Sequence, residues 1–527
     1  MLDERIHSRR WATLAVLCLS LLIIVMDNTI LNVAIPSLMR DLDASNSDIQ
    51  WIIDAYTLVF AGLLLTAGTL SDRFGRKGAL QVGIVVFAVG SILAAMAGST
   101  AHLVASRAFM GIGGALIMPS TLSILTNVFR DPRERGRAIA IWAGFSGLAV
   151  ALGPVTGGLL LEHFSWSAVF WVNIPVGVIA LGLGAWLVPT SGDPNQGRLD
   201  VVGALASIVA LGSLLFGIIE GPVRGWTDSV VLIAFAVGAV TVAFFVTWEL
   251  HVADPMLDMR FFSNPRFSAA NGAITMTFFA LFGSMFLMTQ YWQLVHGYSP
   301  LGAGVRLLPY AGTMMITAPL SARIVEGVGT KRVITTGLLT IAAALFTLSF
   351  IEVETPYPLV ITVFCVMAVG MGMTMAPATE SVMGSLPRHK AGVGSAVNDT
   401  TRQVGGALGV AIIGSVVTSL YASRTGVIAR RFGVADDEAA EAGDSLRNAL
   451  DVAATLPTRA ARALFEFDVK DAFVGSLSIG LRLSATVILV AAFVVWRFLP
   501  ARSRDAAAEA RATVIADPAV SVAAGGG

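Results

Sequence analysis

Charged residues are scarce in this chain, making up 13% of its 527 residues, against about 25% in a soluble domain. That scarcity excludes an ordinary water-facing surface. Cysteine is nearly absent: the two residues, Cys18 and Cys365, both lie in apolar runs. They give neither metal-ligand spacing nor a disulfide framework. Formal net charge is zero, so no basic field points to nucleic acid. No GxxxxGK[ST] string occurs and no soluble segment is large enough to bind nucleotide, which argues against an ATP-driven pump. No His, Cys or carboxylate cluster has catalytic spacing, which argues against a membrane enzyme. Neither a cofactor nor a metal is implied.

What is present is hydrophobic, 55% of the chain. Apolar runs of roughly 20 residues recur along almost the whole length, each long enough to cross a bilayer. In lipid every backbone amide must be paired internally, so these runs must be helices. They are continuous rather than alternating at period two, which excludes a barrel. The expected fold class is therefore an all-α polytopic membrane protein. Spans are expected at 11–35, 49–69, 79–99, 102–122, 137–161, 167–188, 199–219, 229–249, 267–290, 301–325, 332–351, 358–379, 392–420 and 472–499. The first could mimic a signal peptide, but it lacks a small-residue cleavage site and carries Asp27, so it reads as retained.

Short loops set the orientation. Arg73, Arg76 and Lys77 follow the second span, and Arg130, Arg133, Arg135 and Arg137 the fourth. Arg323, Lys331 and Arg332 surround the turn after the tenth. The alternate short loops hold little more than Arg40 and Arg224. Positive-inside bias then puts both termini in the cytoplasm. The spans divide into a six-helix bundle at 1–188, a linker with two extra helices at 189–266, and a second six-helix bundle at 267–499. Residues 421–470 form a long outside loop suited to short amphipathic helices, and 500–527 read as a disordered cytoplasmic tail. Repeated halves commonly hold a transport site between them. GVGTKRVITTG is a faint echo of GTLSDRFGRKG.

Seven stretches carry more than hydropathy. In GTLSDRFGRKGAL, 68–80, Gly68 and Gly75 permit a tight turn and close helix approach. Asp72 beside Arg73, Arg76 and Lys77 suits an ion-pair latch. In LVASRAFMGIGGA, 103–115, Arg107, Gly111 and Ala115 share one helix face. A buried arginine costs about 3 kcal/mol at a helix centre, so an acidic partner is expected. In GFSGLAVALGPVTGG, 144–158, Ala149, Gly153 and Gly157 make a small-residue stripe ending in Gly158, and Pro154 bends the helix. MDNTILNVAIP, WSAVFWVNIPVG, HGYSPLGAGVRLLP and AGVGSAVNDTTRQVGGALGVA extend the pattern over the first thirteen spans.

Together these segments resemble the major facilitator superfamily, and within it the fourteen-span drug:proton antiporters that include bacterial multidrug efflux pumps. The resemblance implies two six-helix bundles plus two central helices in the bacterial cytoplasmic (inner) membrane. It implies proton-coupled export of hydrophobic, cationic drugs or dyes by alternating access, with protons and lipids as the other partners. A monomer suffices, since one chain can enclose a complete pathway. The family pattern prefers glycine where this chain has Ala149. Export of a lipid, a siderophore or a self-made antibiotic stays open, as does a non-transporting scaffold.

Charged groups within spans are functional candidates by default. Asp27, Asp54 and Asp399 are the acids set back from the ends of expected spans, with Tyr56 on the same turn as Asp54, Arg402 three residues after Asp399, and Glu380 nearer an interface. A carboxylate taken out of water protonates more readily, so proton and cationic cargo can compete for it. The role falls first to Asp54 and second to Asp27, with Arg107 and Asp399 as further coupling candidates. Met367, Met371 and Met375 recur every fourth residue and, with Tyr310, Met314, Met315, Met285 and Met288, suit a soft pocket. Trp166, Tyr291 and Trp292 are expected as interfacial anchors.

Overall fold

Apolar runs of this length leave the backbone no solvent partner, and the chain answers with helices from end to end. The structure is a computed structural model and describes residues 2–44, 46–192 and 200–500. The expected tail, 501–527, and part of the linker, 193–199, lie outside the described residues. No strand occurs among the described residues.

The first half contains α1 (Leu2–Asp41), α2 (Asn46–Phe74), α3 (Arg76–Ala95), α4 (Thr100–Val128), α5 (Pro132–His163), and α6 (Ala168–Trp171) running into α7 (Asn173–Leu187). Two further helices follow, α8 (Val201–Arg224) and α9 (Ser229–His251). The second half contains α10 (Pro265–Gln290), α11 (Pro300–Arg306), α12 (Leu308–Val328), α13 (Thr330–Leu348), α14 (Tyr357–Met383), α15 (Ala391–Arg431), α16 (Asp436–Asp444), α17 (Leu446–Thr455) and α18 (Arg459–Phe498). Polar caps start several of them: Ser99, Asp131, Asp200, Asp228 and Thr458 each accept a backbone N–H of the first turn. Gly75 separates α2 from α3 at φ 105°, a backbone state that side chains disfavour.

Thirteen helical stretches among the described residues are long and apolar enough to span a bilayer. The expected tenth span differs. It is split into α11 and α12, and α12 carries Arg323, Glu326 and an internal Pro319, which dilute its hydropathy. It is nonetheless packed between α5 and α14, with Tyr310, Ala311, Met314, Thr317, Ala318 and Ser321 buried.

Two apolar cores result. One is built almost wholly from α1–α7, the other mostly from α10 to α18 with Ala206 of α8 and Phe245 of α9. The halves meet along two seams, α2 against α15 and α5 against α12. The α8–α9 pair lies outside them, α8 touching both α2 and α15. The 421–470 stretch is more ordered than a loop. α15 and α18 run 41 and 40 residues, about 60 Å each at 1.5 Å per residue, roughly twice a hydrocarbon core. Their projecting ends enclose α16 and α17 around Phe465, Val469, Leu446 and Val452. The expected anchors are also relocated: Tyr291, Trp292 and Trp166 are all buried. Tyr291 donates its hydroxyl to the Glu352 carbonyl, and Trp292 packs on Phe364.

Candidate functional site

The α2–α3 turn, the α4–α5 turn, the α12–α13 turn and the segment before α15 gather most of the loop arginines and lysines at one end of the bundle, here the basic end. There the two halves are bolted together. Asp72, near the end of α2, is buried. Its Oδ2 accepts the N–H groups of Gly392 and Val393 at 2.8 and 3.2 Å, the unpaired donors that open α15. Its Oδ1 takes Arg76 at 2.7 Å. Arg76 reaches on to donate to the carbonyls of Arg388 and His389 at 2.9 and 3.1 Å. Gly68 makes the approach possible, since a Cβ there would lie 2.6 Å from both Ala396 Cβ and the Gly392 carbonyl. Lys77 turns elsewhere, donating to the Ala185 carbonyl at 2.7 Å, and Arg73 lies over Phe74. Of the three bases beside Asp72, Arg76 is the one that pairs with it at 2.7 Å.

A second tie was not legible in the sequence. Arg135 of α5 forks onto Glu380 of α14, with contacts of 2.7 to 3.2 Å. Glu380 thus lies between the halves rather than at a lipid interface. The exposed Arg137–Glu326 pair, at 3.5 Å, joins α5 to α12, and Arg388 donates to the Arg130 carbonyl at 2.6 Å.

Inside the first half the acids and bases find one another. Arg107 of α4, 1% exposed, donates Nη1 to Asp27 Oδ2 at 2.5 Å. Its Nε donates to the Ile52 carbonyl at 3.1 Å, and its guanidinium lies 4.4 Å from the Tyr56 ring. Asn173 of α7 donates to the other Asp27 oxygen at 2.9 Å and to Ser91 at 3.2 Å. The expected acidic partner of Arg107 is thus Asp27. Asn173 stood in WVNIPVG as a lone amide among apolar residues, which was the available signal.

Asp54 takes no part in this cluster. It lies two residues from Ile52, about 200° around the helix. It is half-buried, hydrogen-bonded to Gln50 and close to Glu220 of α8. Glu220 itself pairs with Arg224 at 2.5 Å.

In the second half, Asp399 of α15 is 1% exposed. Asn398 and Ser395 donate to it at 3.2 and 3.4 Å. Arg402, 6% exposed, donates Nη2 to Thr379 at 3.0 Å. Among the described residues no ion pair within 4.0 Å joins Arg402 to Asp399.

The glycine motif of α5 forms a three-helix junction. Gly153 and Gly157 pack on α1 at Thr29 and Ile30, while Pro154 and Gly158 pack on α11 at Gly304 and Leu301. Ala149 is fully buried. Nearer the middle, Met314 Sδ lies against Gly147 across the seam. Met367, Met371, Met375, Tyr310, Met285 and Met288 belong to the second half's core or pack on it, and Met315 touches Gly144. No cluster of three potential metal ligands occurs among the described residues.

The geometry agrees with what comparison finds. Residues 17–410 match the family described as Major Facilitator Superfamily. The multidrug efflux pump LfrA of Mycolicibacterium smegmatis is 36% identical over 491 residues, covering 93% of this chain and 96% of that one. The tetracenomycin C resistance and export protein of Streptomyces glaucescens is 34% identical over 503 residues, 93% of this chain and 91% of that one. Among solved structures, the human organic anion transporter MFSD10 superposes with a TM-score of 0.59 at 13% identity, covering 94% of this chain and 99% of that one, a likeness of fold alone.

Proposed function

The chain belongs to the Major Facilitator Superfamily, and from that premise we propose that it is a proton-coupled antiporter exporting hydrophobic, cationic drugs or dyes by alternating access. Export is supported by the multidrug efflux pump and the tetracenomycin C resistance and export protein it resembles over more than nine-tenths of its length. The basic end faces the cytoplasm under the positive-inside rule. Counting α12, the expected tenth span, brings the thirteen stretches to fourteen, an even number, so both termini lie on the cytoplasmic side of a bacterial cytoplasmic membrane. Residues 1–188 and 267–499 are the two moving bundles, 189–266 carries the added pair, and one chain is the transporting unit.

One observation carries the coupling. Asp27 is held by Arg107 and Asn173, whereas Asp399 is equally buried and has no ion pair within 4.0 Å among the described residues. A buried acid without a fixed cation is free to hold a proton in one state and a cationic cargo in another. Asp399 and the half-buried Asp54 are the exchanging groups, and Asp27 is the counter-ion that positions Arg107. The Asp72–Arg76 clasp on α15 and the Arg135–Glu380 pair are the contacts that inward opening must break. Moving one charge through 100 mV is worth about 2.3 kcal/mol, so two protons per monovalent cation would draw on voltage as well as on pH.

The test is efflux from proteoliposomes under an imposed pH gradient. Uphill export of a cationic dye is expected to fall at least about tenfold in Asp54→Asn and in Asp399→Asn, the loss of roughly one charge-assisted contact. Undiminished uphill export by both variants would rule the coupling out, and an unchanged phenotype with both acids neutralised would favour a scaffold. A monovalent dye whose export ignores voltage at zero pH gradient would mean one-for-one exchange.

A further inference from the structure

Arg402 is a buried cation that the coupling scheme leaves unused. Nothing acidic closes on it within 4.0 Å among the described residues. Asp399, one turn earlier on α15, is turned to Ser395 and Asn398. Of its donors, Nη2 meets Thr379 and Nε meets no acceptor. The guanidinium lies instead between two aromatic faces, 5.1 Å from the Trp142 ring and 5.4 Å from the Phe278 ring. Trp142 comes from α5 in the other half, is fully buried, and its indole Nε1 also lacks an acceptor. Two unused donors from opposite halves therefore meet at the seam between them, walled by aromatic rings.

Packing does not account for this arrangement. Removing a charge from water costs several kcal/mol unless it is paired, and a buried donor without an acceptor adds to that. A residue needed only to fill space there would be apolar. An arginine presents planar donors suited to carboxylate or carbonyl oxygens, and it stacks on aromatic faces. Alternating access separates the two halves at this seam, which brings such donors to face a cargo.

We infer that Arg402 and Trp142 form a subsite for acceptor oxygens, so that the chain selects planar aromatic compounds bearing carbonyl or phenolic oxygens over those without them. This deepens the export reading and rests on it. A cargo carrying both an amine and a quinone would place the amine toward Asp399 and an oxygen toward Arg402.

The experiment measures binding of two planar cations to the purified full-length protein in nanodiscs. Daunorubicin carries quinone and phenolic oxygens, and ethidium carries none. In Arg402→Gln the ratio of daunorubicin to ethidium affinity should fall at least about tenfold, the worth of one hydrogen bond to a charged group. Trp142→Phe should lower it less, because it removes a neutral donor and keeps the ring. Thermal stability of Arg402→Gln should fall far less than that of Asp27→Asn, since no ion pair is broken and Asp399 acts on Arg402 only through space. An unchanged ratio, or a stability loss matching that of Asp27→Asn, would overturn the inference. Efflux assays on the same samples separate the two readings. If the unmodified protein shows the affinity ratio but pumps neither dye, export fails and the subsite stands.

Discussion

Arg107 and Arg402 are both arginines buried within membrane spans, one in each half, and the chain treats them in opposite ways. Arg107 has a carboxylate, a backbone carbonyl and a tyrosine face, and its carboxylate is steadied in turn by Asn173. Arg402 has one threonine hydroxyl and two aromatic faces. A matched buried pair fixes the relative positions of α1, α4 and α7, because any slip would leave a buried charge unpaired. An unmatched one stores a demand for a partner. On the proposal above, the difference teaches where to look for function: the satisfied cluster would fix the bundle, and the unsatisfied one would be left to take a ligand.

The strongest way to break the contrast is to make Arg107 resemble Arg402. Asp27→Asn leaves the Arg107 guanidinium buried without its anion, and removing one partner of such a pair costs about 3–5 kcal/mol. The expected outcome is a large drop in melting temperature and in the folded fraction seen by size exclusion. A double change, Asp27→Leu with Arg107→Met, should recover much of that stability because both charges go together. If Asp27→Asn melted like the unmodified protein, the pair would not be the scaffold described here.

Next in size is the clasp at the basic end. Arg76 is as buried as Arg107 and its acid also caps α15. Asp72→Ala removes an ion pair and two charge-assisted hydrogen bonds, about 2–4 kcal/mol in sum. Because those bonds cross between halves, the loss should appear as opening rather than melting. Alkylation of a cysteine introduced by Ser395→Cys, beneath the clasp, should accelerate at least tenfold. Glu380→Gln loosens a pair less deeply buried than the clasp, its side chains 11% and 19% exposed, where partial solvent screening leaves about 1 kcal/mol. The same probe should respond there only a few-fold. Equal responses to both changes would mean that burial does not grade these contacts.

How much of this the sequence disclosed depends on whether the cause was local. Helices and their order were legible because a run of twenty apolar residues has one answer in lipid. The α12 span was blurred because Arg323, Glu326 and Pro319 dilute it while α5 and α14 still bury one of its faces. The long projections of α15 and α18 were hidden, since a water-exposed helix with its own core follows soluble rules and not hydropathy. Tyr291 and Trp292 looked like anchors because each closes an apolar run, yet a hydroxyl bond to Glu352 and packing on Phe364 draw them inward. Pairings between distant residues left the least trace. Asp27 meets Arg107 across 80 positions and Arg135 meets Glu380 across 245. The need for a partner at Arg107 could be argued from cost alone, but which acid answers it is a property of the packed bundle.

The smallest expected effect completes the grading and is its most exposed test. Arg137 and Glu326 join the same two halves as the Asp72 clasp, at the same end, but both side chains are more than a third exposed and 3.5 Å apart. In water-like surroundings such a pair is worth about 0–1 kcal/mol and is screened by salt. Glu326→Gln should therefore leave melting temperature, alkylation of the Ser395→Cys probe and dye export within about twofold of the unmodified protein. The two ties differ in burial and in the backbone donors they satisfy, while sharing charge type and the halves they bridge. A large effect of Glu326→Gln would shift the weight from burial to position, and would make α12 against α5 the gate in place of α2 against α15.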